Sequence, residues 1–291
     1  MRSFVLVAAA VLCAAPPLVA QRQVVGRAAS PTASIRILNP AGAVRLTGWR
    51  HDSVMVITTL ADKSQRLSVT GGRDSLVIAI EGTNGGAADL ELRVPAGADL
   101  RIKTSNGEID ADDLSGTVTA LTIAGRLRVG GRLRSVTAES LEGNIEVAAD
   151  AAEASVRAGS GSVVVRGAVT DAVATSVSGQ LLIGLTGPLT HGRFESLSGD
   201  VSYKGPLAEG GTLELQSHSG NLELRMSPAL GATYDIDTYG GSIKDLLSAR
   251  SPRTLTGSTS FAIGNGKAKV VVRNFKGIVT LKKQETLGAR E

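Results

Sequence analysis

The chain has 291 residues, of which 42% are hydrophobic, 20% charged and 3% aromatic, with 35 glycines and a net charge of +4. That length suits one large all-β domain or two smaller ones. So few aromatic rings argue against a nucleic-acid stacking platform, and acids interleaved with the bases argue against a dense basic face, leaving only weak attraction to anionic envelope polymers.

Residues 1–20 read as a signal peptide. Arg2 supplies a positive start, Phe4 to Ala15 a short apolar run, and Leu18-Val19-Ala20 a cleavage region. The run is too short for a transmembrane helix, and no later segment is long enough. Leu12 precedes Cys13 where a lipoprotein site needs a small residue, and Cys13 is the only cysteine. Once the signal is removed, neither a disulfide nor thiol chemistry remains. The expected location is exported: periplasm, outer surface or extracellular.

Residues 22–95 alternate apolar and polar side chains in short runs, from Ser34 to Leu38 through Leu90 to Val94, punctuated by glycines at irregular spacing. They read as an N-terminal β-module that caps the rest of the chain. Pro95-Ala96-Gly97 makes the junction.

From there a glycine recurs. Gly107, Gly125, Gly143, Gly161 and Gly179 lie 18 residues apart, Gly199, Gly220 and Gly241 come at 20, 21 and 21, and Gly277 closes the series at twice 18. Residues seven and five before each glycine, and two and four after it, are mostly apolar, as in Val136/Ala138 and Ile145/Val147. Spacing of two is strand spacing with one face buried, so each unit is two short strands separated by turns. Three before the glycine stands a hydroxyl: Thr104, Thr122, Ser140, Ser176, Ser196, Ser217 and Thr238, with Ala158 and Asn274 as exceptions. Such a hydroxyl at a corner can bond turn backbone, and no base recurs beside it to make it a nucleophile. Three after the glycine, Asp110, Arg128 and Glu146 alternate in sign. Parallel stacking puts like positions about 4.8 Å apart, so these residues pair, as do Glu139 with Arg157, Arg193 with Glu214 and Glu223 with Lys244. The fold predicted for residues 96–283 is a parallel β-solenoid of 18–21-residue two-strand coils, with an antiparallel β-meander as the alternative. A hairpin insertion near 245–266 interrupts the count: Ser258 to Ile263 and Ala268 to Arg273 flank Gly264-Asn265-Gly266. Residues 284–291 read as a frayed polar tail.

The run V-P-A-G-A-D-L-R-I-K-T-S-N-G-E-I-D, the units T/S-x-S-G-x-I-x-V and the closing K-V-V-V-R-N-F-K-G-I-V-T-L-K-K resemble the bacterial putative-adhesin family of unknown function, the DUF4097 β-strand-repeat proteins. The resemblance spans residues 30–283. It implies an exported or envelope-associated β-solenoid and offers no catalytic residues to carry over. Many relatives carry a transmembrane anchor or a lipid, and neither is read here.

Candidate sites are few. Arg126, Arg128, Arg132 and Arg134 would project outward together and suit anionic-polymer contact, against the simpler expectation that they pair with Asp110, Asp112, Glu142 and Glu146. Val164 and Leu182 fall in the outward column where their neighbours carry charge, an apolar interaction patch or a surface covered by a loop. Glu195, Glu214, Asp235 and Asp237 should share one outward face if the units stack, and Glu214, Asp235 and Asp237 are weak candidates for a cation or for polysaccharide chemistry. D-A-D-D at 110–113 is a second acidic cluster. His51, His191 and His218 have no metal-ligand spacing and read as solvated turn residues. Trp49 reads as a cap on the core. No cofactor is expected. The expected function is that of an exported non-enzymatic adhesin or envelope scaffold, presenting its faces to a surface polysaccharide or protein. A polysaccharide lyase or hydrolase on a β-helix, and a self-assembling structural element, are the alternatives.

Overall fold

The structure, a computed structural model, describes residues 21–60, 62, 64–82, 86–227, 231–248 and 253–284. The predicted signal, with Cys13, and all but the first residue of the predicted tail lie outside the described residues. The chain is all-β.

In chain order the strands begin with β1 (Gln21–Ala28), β2 (Ser34–Ala41), β3 (Val44–Trp49), β4 (Ser53–Leu60), β5 (Arg66–Gly71), β6 (Ser75–Glu81) and β7 (Ala88–Pro95). The regular stretch comprises β8 (Asp99–Asn106), β9 (Ile109–Leu114), β10 (Thr117–Ala124), β11 (Leu127–Glu142), β12 (Ile145–Ser160), β13 (Val163–Gly167), β14 (Val169–Ser176), β15 (Leu181–Leu185), β16 (Leu189–Ser196), β17 (Val201–Lys204), β18 (Leu207–Ser217) and β19 (Leu222–Met226). The chain ends with β20 (Ala232–Thr238), β21 (Ser242–Asp245), β22 (Arg253–Leu255), β23 (Ser258–Ile263), β24 (Ala268–Asn274) and β25 (Ile278–Lys283).

Strands before and after each motif glycine build two facing layers. The first layer runs β5-β6-β2-β8-β10-β11-β12-β14-β16-β18-β24-β20-β23, using the second halves of β11 and β12. The second runs β1-β4-β7-β3-β9-β11-β12-β13-β15-β17-β19-β25-β21-β22, using their first halves. Every internal pair from β6 to β20 and from β7 to β21 is parallel, and antiparallel strands close both ends. This is the two-sided parallel solenoid that the period predicts, with register steps of one coil: Val118 pairs Val136 and Ile145 pairs Val163.

The ends depart from sequence order in the same way. The coil β2–β3 comes first in sequence but lies between β6–β7 and β8–β9. The coil β24–β25 comes last but lies between β18–β19 and β20–β21. Residues 22–95 thus add two coils to the same stack as well as antiparallel capping strands. The hairpin expected between Ser258–Ile263 and Ala268–Arg273 does not form: β20 separates β23 from β24, because the chain crosses over the end coil before re-entering the stack. The parallel ladder is covered at its ends by the antiparallel strands β5 and β23 on the first layer and β1, β4 and β22 on the second.

The core fills the space between the layers. Ala120, Ala138, Ala154, Ala172 and Ala174 line the first layer through the middle of the stack, opposite Val, Ile and Leu of the second, such as Val129, Ile145 and Val165. Small opposite large keeps the layers close-packed. Toward the C-terminal end the core thickens, with Phe194 stacked on Tyr203 at 5.8 Å and Tyr234 on Phe261 at 5.0 Å. Burial pushes the Tyr234 phenol up to about 12.

The motif glycines stack into a continuous column at one corner. A side-chain carbon on Gly143 would run into the carbonyl oxygen of Gly125, and one on Gly199 into that of Gly179. The column runs on through Gly220, Gly277 and Gly241, in spatial rather than sequence order, and starts from Gly42 beside Gly107. Close approach of coil to coil is what excludes every other residue here.

Candidate binding surface along the corner

The outward columns carry the predicted charge ladder where sequence order and spatial order agree. Glu91, Arg45, Asp110, Arg128 and Glu146 are successive partners on the second layer. Arg128 donates to Asp110 at 3.1 Å and to Asp112 at 3.5 Å, and Arg157 donates to Glu139 at 2.9 Å. Of the four arginines proposed for anionic-polymer contact, three are engaged: Arg126 lies 3.7 Å from Glu108 and 3.5 Å from Glu146, Arg128 holds Asp110 and Asp112, and Arg134 lies 3.6 Å from Asp99. Arg132 is exposed, in register with Asp150.

Where β24–β25 intrudes, the sequence-order columns fail. Val271 stands between Glu214 and Asp235, and Arg273 between Gln216 and Asp237. Glu195, Glu214, Asp235 and Asp237 therefore do not converge, and Arg273 approaches Glu214 at 3.6 Å. No group of three or more metal-type ligands exists among the described residues. Likewise Thr280 separates Glu223 from Lys244, and Glu223 accepts instead from Arg225 at 2.6 Å and Lys282 at 2.7 Å.

The histidines find partners rather than water alone. His51 meets the edge of Trp49 at 4.8 Å, and Trp49, half-buried, donates to the Ser53 carbonyl at 2.7 Å. His191 Nδ1 lies 2.6 Å from Asp171, and Thr212 is the next residue in that column. The order Asp-His-Thr is that of a nucleophile triad, but among the described residues no hydrogen bond joins Thr212 to the ring.

A feature absent from the sequence reading lies two residues before each motif glycine from Gly125 onward. By strand parity the hydroxyl three before points inward, so the next residue points out of the corner. In spatial order the column is Ile123, Leu141, Gly159, Val177, Leu197, His218, Phe275 and Tyr239. Backbone bonds from coil to coil hold it straight, as in Leu197 N–H to Ser176 at 3.1 Å and Phe275 N–H to Ser217 at 3.1 Å. Exposed serines at the next position along the chain tie it further, Ser198 donating to the Val177 carbonyl at 3.1 Å. Its aliphatic members are more than half exposed and Tyr239 is 84% exposed. His218 stacks on Phe275 at 4.7 Å, and Phe275 on Tyr239 at 5.0 Å, with planes within 6° and 5° of parallel. The insertion of β24 between β18 and β20 puts Phe275 at the centre of the stack and Tyr239 at its end; stacking in sequence order would make Tyr239 central. Among the described residues, no further ring stacks on the outer face of Tyr239. Beside the stack lies a cleft of about 390 Å³ lined by Gln216, Asp237, Ser258 and Arg273, and a groove of about 550 Å³ flanks Ile123, Leu141 and Val177.

An exposed apolar ridge flanked by hydrogen-bonding groups is the anatomy of a recognition surface rather than of a reaction centre.

The model of the Toastrack DUF4097 family matches residues 43–282. Among solved structures, the chain is similar to a putative cell adhesion protein from Clostridium sporogenes (10% identity, 91% of this chain and 100% of that one, TM-score 0.25). It is also similar to a putative adhesin from Bacteroides fragilis (12%, 90% and 97%, TM-score 0.46) and to one from Parabacteroides distasonis (11%, 91% and 98%, TM-score 0.32). No curated protein matches. With more than half its length under the family model, the chain belongs to the Toastrack DUF4097 family.

Proposed function

We propose that the protein is an exported, non-enzymatic binding protein of the adhesin type, which holds a surface polymer or protein along its corner ridge. The observation that carries this reading is the exposed column from Ile123 to Tyr239, ending in three stacked rings beside a polar cleft. An exposed apolar edge this long costs solubility, and nothing in the solenoid requires it, because the inward columns alone close the core. The signal-like residues 1–20 support export, and no helix among the described residues is long and apolar enough to cross a membrane. The adhesin class is what the resemblance of the repeat motifs to the putative-adhesin proteins implies, and the Toastrack DUF4097 model spans the same coils.

The test is binding of the purified chain to glycan arrays and to extracted envelope fractions of the producing cell, with Tyr239→Ala and Phe275→Ala in parallel. Removing a central aromatic anchor should weaken binding about tenfold or more, while the melting temperature holds for Tyr239→Ala. Undiminished binding by both variants, or recovery of the protein only from cytosol, would overturn the proposal.

A further inference from the structure

We propose that the second layer carries a separate site for an acidic polysaccharide, a chain bearing a carboxylate on each sugar. It rests on residues remote from the corner ridge. Past Glu146 the charge ladder of this layer ends: Val164 and Leu182 occupy the next two outward places, then Ser202. In the neighbouring outward column, Arg166, Gly184, Lys204, Arg225 and Lys282 are successive partners. Three cations in consecutive strands, about 4.8 Å apart, repel one another and destabilise the ladder. From Glu91 to Glu146 on the same layer, by contrast, neighbours alternate in sign. Glu223 answers Arg225 and Lys282, and Arg166 lies 3.8 Å from Glu146, a carboxylate it shares with Arg126. Lys204 has no ion-pair partner among the described residues.

Three further features choose the ligand class. At Gly184 a side-chain carbon would meet nothing within 4 Å, so the column is notched between Arg166 and Lys204, and a cleft of about 580 Å³ opens there. Val164 and Leu182 border the notch with a dry step that suits the C–H face of a sugar ring. The side-chain oxygen of Gln284, which lines the same cleft, is buried without a hydrogen-bond partner. An unpaired acceptor calls for a donor. Sugar hydroxyls donate, whereas a polyphosphate chain does not. A nucleic acid would want an exposed ring for its bases, and none lies among the residues of this cleft or of the adjoining basic one.

The experiment measures binding of the full chain to polygalacturonate, neutral dextran and inorganic polyphosphate across a salt series. Polygalacturonate should bind with affinity falling as salt rises, well above the other two. Lys204→Glu should weaken it about tenfold and flatten the salt dependence by more than one unit of log affinity per log salt. Gly184→Gln, which fills the notch, should weaken it with every charge retained. Tyr239→Ala should leave it unchanged, which separates this site from the ridge. Circular dichroism and melting checks confirm that each variant is folded. Equal binding of dextran, tighter binding of polyphosphate, no binding by the folded wild type, or wild-type affinity in both notch and lysine variants would each overturn the proposal.

Discussion

The corners at Gly143 and Gly199 occupy the same place in the same ladder but are built differently. At the corners of Gly125, Gly143 and Gly161 the glycine takes positive φ, at 126°, 143° and 99°, and no inward hydroxyl holds the glycine N–H: Thr122 donates to the Ala124 carbonyl at 3.0 Å, Ser140 has no hydrogen-bond partner, and position 158 is alanine. From Gly179 on, Gly179, Gly199 and Gly220 keep ordinary φ, and the hydroxyl accepts from the glycine N–H three residues on, at 2.7 Å from Ser176 and 2.8 Å from Ser196 and Ser217. At these corners the hydroxyl takes over from backbone geometry in fixing the turn. The surface of the second layer changes one coil earlier. Up to Glu146 its outward ladder pairs by charge; beyond it come the apolar step of Val164 and Leu182 and the basic column from Arg166 to Lys282, with the ring stack at the far end of the corner. The early coils hold themselves together, and the later ones carry features that cost stability and so need another explanation.

The strongest way to break this contrast is at the glycines. Gly143→Val combines a positive φ with a collision against the Gly125 carbonyl, and should cost more than about 4 kcal/mol, abolishing folding or lowering the melting temperature steeply. Gly184→Val, on the layer and not in the corner, has ordinary φ and open space, and should change stability by less than about 0.5 kcal/mol. Equal losses in the two would show that glycine serves strand flexibility rather than close stacking.

A smaller effect separates the two corner types. Ser196→Ala strips the Gly199 N–H of its acceptor in a buried corner and should cost about 1–2 kcal/mol by urea unfolding. Ser140→Ala removes a hydroxyl that is already unpaired, and should be neutral or stabilising. If both cost the same, the hydroxyl column is a packing device throughout.

The repeat makes the coil, its inward columns and its parallel register legible, because period and parity act locally and each coil sees only its neighbours. Spatial order at the ends is not legible in the same way, because swapping two adjacent coils preserves every local rule. Asn39 and Asn274 are the available signal. Both take the hydroxyl position, in Asn39-x-x-Gly42 and Asn274-x-x-Gly277, and each reaches a carbonyl of the next coil, Asn39 to Ala88 at 2.9 Å and Asn274 to Gly220 at 3.2 Å. These are the two inserted coils. Without that pair, stacking in sequence order assembles a false Glu214/Asp235/Asp237 cluster and makes Tyr239, rather than Phe275, the middle ring of the stack. The outward corner column is written in the same alignment, one place along from the inward hydroxyl, but its mixture of aliphatic, histidine and aromatic residues shows no single chemistry to a column-by-column reading.

The mildest test concerns the basic column. Partial burial pushes the Glu223 carboxyl up, but hydrogen bonds from Lys282 and Arg225 more than reverse this, so it ionises below its ordinary value of 4.5. A carboxylate whose folded pKa is depressed adds stability that is fully present above its unfolded pKa and is lost as pH falls through the folded one. Wild type should therefore exceed Glu223→Gln by about 0.5–1 kcal/mol at neutral pH, and the gap should close only below the ordinary carboxylate range. Added polygalacturonate sharpens the comparison. If the cations are there for a ligand, Glu223→Gln leaves them unopposed and should bind the polymer more tightly while folding less stably. A variant that loses both stability and affinity would instead make Glu223 a part of the binding surface, and the basic column a structural ladder like the one it replaces.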